Sequence, residues 1–329
     1  MSSDVVTSDS WRPQKPFVTF GIVVAVLLVL RIILGFVVAP PAVALALSLL
    51  NTVIFVGLPI YGLFYAAAHS WTAKQAWVPL LVGVVLHVGM FLIIRSLKLE
   101  GAPQVFASAF MQTGVMFWCL GLGALVSILI REKNMILPIA IFLAGMDAFL
   151  ILTPFTPQAK IVKDNPEIVG ALGVAVPGVK AAPASGETVP VGTFDLAYIG
   201  PADLFIAAML FACIFRYGMQ ARATAKWLGP VLVGYMLLVL GFRISLPALV
   251  PIGLTVLLVN RKEFTMNKEE RQATWGVTVI ALAMAGFGVY NSLTYKPPKQ
   301  PDEPAMQTDG SGEQKPPSLP GPTDPDPNR

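Results

Sequence analysis

Long apolar runs divided by short polar stretches dominate this chain, and the length of each run predicts an element. Nine such segments can be drawn: 17–39, 41–67, 76–94, 105–130, 135–154, 197–215, 227–242, 245–260 and 273–292. Most approach the roughly 20 residues that a helix needs to cross about 30 Å of hydrocarbon. The seventh and eighth are shorter, which predicts a tilted, broken or recessed element at one of them. In lipid an open sheet edge would leave backbone groups unpaired, and no alternating pattern of a barrel is visible. The pattern therefore predicts an all-α, polytopic membrane protein of about nine transmembrane helices, with the count open by one.

Composition agrees: 55% of the residues are hydrophobic and 13% charged, with a mean hydropathy of +0.69. The formal charge of +4 lies largely at helix ends, so it reads as a topology signal and not as a nucleic-acid surface. Arg12, Lys15, Lys74, Arg131, Lys133, Arg216, Arg222, Lys226, Arg261, Lys262, Lys268 and Arg271 fall on one side, against Arg95, Lys98 and Arg243 on the other. This asymmetry places the N-terminus in the cytoplasm and, with nine spans, the C-terminus outside. The first apolar run exceeds the hydrophobic core of a cleavable signal peptide and reads as an uncleaved anchor in the cell membrane. Cys119 and Cys213 lie within apolar segments, where small thiols are packing residues.

The same pattern divides the chain. Residues 1–16 form a cytoplasmic segment, 17–154 an N-terminal helix bundle, 155–196 a connection and 197–292 a C-terminal bundle. The connection mixes Pro, Gly and Ala with Lys160, Lys163, Asp164 and Glu167, and its length fits a lid, a substrate contact or disorder. Ten of the 28 prolines fall in residues 297–327, so 293–329 reads as a disordered tail that cannot bury enough apolar surface to order itself.

Against this background two residues stand out. Of nineteen acidic side chains, only Asp147 and Asp203 lie inside strongly apolar stretches. A charge at mid-bilayer costs roughly 2.5 to 3.5 kcal/mol on insertion scales, so each marks a functional site by default. Asp147 is seven residues before Pro154, about 10 Å along a helix, and Asp203 is five residues after Tyr198, about 8 Å from the same face. The two helices run antiparallel, so neighbouring placement lets the carboxyls meet at similar depth. Two carboxyls in contact share one proton and titrate as a unit. Such a pair supports aspartic-protease chemistry, in which one acid activates water while the other hydrogen-bonds the scissile carbonyl.

A third element is Ser245-Leu246-Pro247-Ala248-Leu249-Val250-Pro251. Its prolines withhold backbone donors, leaving an irregular stretch able to contact an extended peptide, or simply a kinked helix start. The pattern argues against a zinc metalloprotease: there is no His-Glu-x-x-His, and the only histidines are His69 and His87. His87 reads as a hydrogen-bonded structural residue, and no Ser-His dyad has a Gly-x-Ser context. Arg31 either pairs with an acid or snorkels to an interface, and Asn51 bridges helices. Gly121, Gly123, Gly286 and Gly288 mark close helix packing, and Trp227, Trp275 and Tyr290 interfacial anchors.

Together these pieces resemble the presenilin and signal peptide peptidase family of intramembrane aspartyl proteases. Met146-Asp147-Ala148-Phe149 with Pro154 and Pro157 following looks like the family's first catalytic helix. Gly200-Pro201-Ala202-Asp203 falls where the family carries Gly-x-Gly-Asp, and Pro247-Ala248-Leu249 matches its Pro-Ala-Leu motif. Ala202 stands in place of the motif glycine, and Met146 where presenilin-like members have tyrosine. The family places five spans before its first catalytic helix and ends near Pro-Ala-Leu; here four precede Asp147 and one follows Asn260. The resemblance implies a prokaryotic presenilin-like fold with Asp147 and Asp203 catalytic. Pro247, Ala248, Leu249, Gly200, Pro201 and Ala202 would contact substrate. It implies neither metal nor cofactor, transmembrane-helix substrates within the bilayer, and no obligate partner subunit. The predicted orientation is that of signal peptide peptidase, which implies substrates entering in the type II sense. Two other readings fit the acids: a transporter in which they relay protons or bind a cation, and an inactive helix-binding relative, with Ala202 as its motive.

Overall fold

The computed structural model of the protein describes residues 12–153, 170, 173–182, 191, 192, 194–242 and 249–295. Among these residues lie nine α-helices: α1 (Pro16–Leu34), α2 (Pro41–Ala67), α3 (Ala73–Leu97), α4 (Gly101–Leu129), α5 (Ile136–Leu152), α6 (Pro201–Arg216), α7 (Ala221–Phe242), α8 (Leu249–Val259) and α9 (Lys268–Thr294). They fall on the nine apolar segments one for one. Six, α1 to α5 and α9, are long and apolar enough to cross a membrane, α5 counted with the 3₁₀ turn Lys133–Met135 before it. The chain is thus a mostly helical, multi-pass membrane protein.

Local sequence sets the helix starts. Pro16, Pro41 and Pro201 occupy first positions, where a missing N–H costs nothing and the fixed φ is already helical. Thr72 opens α3 with a capping box: its hydroxyl accepts from Gln75 N at 3.4 Å, and Gln75 Oε1 accepts from Thr72 N at 3.1 Å. Lys98 closes α3 in the left-handed region at φ 46°.

The bundle is organised around α4, which packs against α3 on one side and α6 on another. Glycines make both seams. A Cβ on Gly83 would lie 2.2 Å from Trp118 N, on Gly114 2.6 Å from His87 N, on Gly121 2.4 Å from Leu80 N, and on Gly123 2.6 Å from Phe205 O. Small residues that let backbones touch are what holds helices together where lipid is as apolar as the side chains. Gly288 is similarly placed, 3.2 Å from Ala148 O, whereas Gly286 has nothing within 4 Å and is no packing glycine. Gly114→Val is accordingly expected to lower stability by about 3 kcal/mol through overpacking, and Gly286→Val by about 0.5 kcal/mol or less. Denaturant unfolding in micelles measures both.

The expectation of a wholly helical core needs correction. Among the described residues there are four short strands: β1 (Val38–Ala39), β2 (Val174–Gly178), β3 (Lys180–Ala181) and β4 (Phe194–Ile199). β1 pairs with β3 in parallel, and β2 with β4 antiparallel, with a register shift at Val176/Pro177. A proline at a bulge is how a strand tolerates a missing donor. The first apolar run therefore leaves the helix at Leu34, and the sixth begins as strand, its helix starting only at Pro201. Part of the connection 155–196 is this hairpin. Residues 155–169, 171, 172, 183–190 and 193 of that connection, and residues 296–329 of the tail, lie outside the described residues.

Candidate functional site

Asp147 lies five residues before the end of α5, and the faces of that helix are assigned by its contacts. Gly145 meets Ala281, Ala148 and Leu152 meet Gly288, and Phe149 stacks on Phe287 with centroids 6.1 Å apart. All of these partners belong to α9. At about 100° per residue, Asp147 points to the opposite side, where α8 and α6 pack. On α9, Thr274, Ala281 and Gly288 are buried at seven-residue spacing, a seam of the coiled-coil kind. The additional helix after Asn260 thus backs α5 and leaves the acid-bearing face free.

Asp203 is the third residue of α6. Its N–H returns to Gly200 O at 3.1 Å, and its Oδ2 lies 3.1 Å from where a Cβ on Gly200 would stand. Gly200 has an ordinary φ of −61°, so a side chain here would press on the acid without straining the backbone. Below it, Cys119 Sγ of α4 donates to Pro201 O at 3.3 Å. Ala202 occupies a regular helical position and is exposed. The methyl group that replaces the motif glycine therefore meets no neighbour that it must displace.

The two acids are brought together. α5 touches α6, and the carboxyl of Asp203 lies within electrostatic reach of that of Asp147. Asp147 Oδ2 accepts a hydrogen bond at 3.0 Å from the backbone N–H of Leu249, the first residue of α8 among the described residues. First-turn N–H groups have no partner inside their own helix, and the macrodipole adds partial positive charge there. One acid thus lies in the first turn of α6 and the other against the first turn of α8. Both carboxyls therefore lie where a helix start offers partial positive charge.

Leu249 is the described member of the Pro-Ala-Leu element; Pro247 and Ala248 lie outside the described residues. Gly200, Pro201 and Ala202 are all at the start of α6, beside the second acid. A residue that the sequence pattern alone did not single out is Tyr235 of α7, whose phenol lies within electrostatic reach of both carboxyls. It lines an apolar groove of about 620 Å³ between α7 and α8, together with Trp227, Pro230, Pro251 and Leu258. The signal was available, since Tyr235 is a phenol within the apolar run 227–242.

The other polar residues take structural positions. His87 Nδ1 is 3.2 Å from Met111 O, joining α3 to α4 as a buried histidine. Asn51 is buried with its Nδ2 unpartnered among the described residues, so that nitrogen bridges no helices. Arg31 does not snorkel: it is buried, donates to Ala175 O and stacks over Phe55 with 5.1 Å to the ring centroid. Cys119 and Cys213 are buried free thiols, and Trp227, Trp275 and Tyr290 are exposed at helix ends.

These features define a class: a multi-pass helical membrane protein with two interacting carboxyls at helix starts within its bundle. Comparison with protein-family models, curated proteins and solved structures finds no match to this chain.

Proposed function

We propose that the protein is an intramembrane aspartyl endopeptidase of the presenilin and signal peptide peptidase type, hydrolysing peptide bonds within transmembrane helices of membrane proteins. The observation that carries this reading is the meeting of Asp147 and Asp203 at the N-terminal turns of α8 and α6, with the Leu249 N–H on Asp147.

In this reading the ionised acid takes a proton from water, and the oxygen attacks the scissile carbonyl carbon. The protonated acid gives its proton to the carbonyl oxygen, so a gem-diol forms and the pair remains singly charged. Return of a proton to the amide nitrogen lets the C–N bond break, releasing one carboxylic acid and one amine. The apolar groove between α7 and α8 offers a wall for a substrate helix, with Tyr235 at the boundary between groove and acids. A helix hides its carbonyls, so the scissile segment must unwind. β4 pairs only with β2 among the described residues and runs directly into Gly200, leaving an edge on which an extended segment can form main-chain hydrogen bonds. Exposure of Ala202 favours an active enzyme over an inactive helix-binding relative.

The charge asymmetry of the loops extends the proposal to orientation, with the N-terminus cytoplasmic, the C-terminus outside and substrates of the type II sense. The decisive experiment incubates purified protein in lipid with a labelled transmembrane peptide, beside the Asp147→Ala and Asp203→Ala variants. Cleavage by the wild type alone, blocked by a peptide mimic carrying a hydroxyl at the scissile carbon, supports the protease. Proton or cation uptake into vesicles without cleavage replaces it with a transporter.

A further inference from the structure

The hairpin that delivers Asp203 is held by side chains from outside it. Ala175 of β2 lies opposite Tyr198 of β4 in the ladder, yet both of its own backbone groups bond elsewhere. Its N–H donates to Gln112 Oε1 of α4 at 2.9 Å, and its carbonyl accepts from the guanidinium of Arg31 of α1. Further along, Val179 N donates to Ser48 Oγ of α2 at 3.0 Å. The outer edge of β2 is therefore sealed by three helices of the N-terminal bundle, and every residue of β2 is buried. From β4, Asp195 attracts Arg31 through space and accepts from the hydroxyl of Tyr198 at 2.9 Å. Arg31 thus grips both strands, one through a carbonyl and the other through a charge.

Only Gly200 separates the end of β4 at Ile199 from the start of α6 at Pro201, with Asp203 three residues beyond Gly200. No slack intervenes, so the place of β4 fixes the place of the first turn of α6. Burying a guanidinium among apolar helices is expensive, and a purely packing role is met by any long apolar side chain. We propose that Arg31 is a positioning residue for the second acid: it clamps the β2–β4 hairpin to the bundle, and through the hairpin it holds Asp203 against Asp147. The effect on chemistry rests on the protease reading; the clamp itself does not.

The test uses full-length protein in lipid, with hydrogen exchange read for segments 174–178, 194–199 and 200–205, and for the α3–α4 seam as an internal control. Arg31→Met is expected to speed exchange of the hairpin and of 200–205 by about tenfold or more, leaving the seam unchanged. Arg31→Lys, which keeps a charged donor, is expected to restore protection to within about threefold of wild type. Asp195→Asn, at an exposed position that leaves the core intact, is expected to loosen the hairpin by about threefold. In the peptide assay, Arg31→Met lowers kcat by about tenfold or more with KM within about twofold, and Arg31→Lys recovers most of the loss. Hairpin exchange unchanged in Arg31→Met overturns the clamp. Hairpin loosening that stops before residue 200, or that leaves kcat intact, overturns the positioning role. Should the wild type cleave nothing, the protease reading fails, and exchange across 174–205 still decides the clamp.

Discussion

Asp203→Asn is expected to abolish cleavage of a transmembrane peptide, lowering kcat by about 10⁴-fold or more, because an amide neither exchanges a proton with water nor passes one to the leaving nitrogen. Asp147→Asn is expected to do the same, and the double variant to be no worse than either single one, since groups acting as a unit do not contribute additively. Each substitution is nearly isosteric. In Asp203→Asn the new amide keeps its place in the first turn of α6, where asparagine is well tolerated, and in Asp147→Asn the amide oxygen can still accept from Leu249 N–H. Folding should therefore survive, which unfolding in micelles checks. The wild-type kcat should trace a bell against pH, because only the singly protonated pair has both a base and an acid; the two limbs belong to the pair and not to either residue. Cleavage persisting within about tenfold in either variant would remove the dyad from the mechanism.

The acids themselves were legible because the hydrocarbon makes a charge conspicuous: no solvated surface competes for the explanation. Their relative depth was legible only for Asp147: the helical rise assumed from Tyr198 to Asp203 does not apply, because Phe194–Ile199 is strand and Asp203 lies in the first turn of α6. That α5 and α6 are neighbours was not legible, because the apolar faces of both helices are nearly uniform and carry no pairing code. The hairpin was hidden for a different reason. Val174-Ala175-Val176-Pro177-Gly178 reads as a loop when proline and glycine are counted, yet it is strand, stabilised by Arg31, Gln112 and Ser48 from helices far away in sequence. A strand edge satisfied by side chains leaves no periodic trace. The same tertiary partner explains Arg31, whose alternatives of snorkelling or pairing left out the third choice of a backbone carbonyl. Ala202 illustrates the limit of comparing motifs: on the motif alone the missing glycine counts against the site, but its position in α6 places the methyl group outward. Gly200, which the same motif retains, is the position where a side chain would press on the acid.

Leu249→Pro separates the role of a single hydrogen bond from that of the Pro-Ala-Leu side chains. Leu249 is the first residue of α8 among the described residues, and proline is well accepted in the first turn of a helix, so the helix and its packing on α5 and α7 should persist. What disappears is the one N–H that Asp147 Oδ2 accepts at 3.0 Å. A charge-assisted bond to a partly buried carboxylate contributes about 1.5 to 3 kcal/mol, and its loss also frees Asp147 to rotate away from its partner. Because this donor orients the acid in the free enzyme and in the transition state, kcat should fall by about 10²-fold while KM changes little. Loss of the leucine side chain is controlled by Leu249→Ala, which keeps the N–H and should retain kcat within about tenfold despite the packing defect. The order matters more than the size. If alanine proved as damaging as proline, the Leu249 contribution would be the side chain filling the space beside α5, and the backbone bond would be incidental to catalysis. If proline alone is damaging, the start of α8 acts on Asp147 much as the start of α6 acts on Asp203. Each acid is then held by the N-terminal turn of a helix, and the pair is built from two such turns meeting across the bundle.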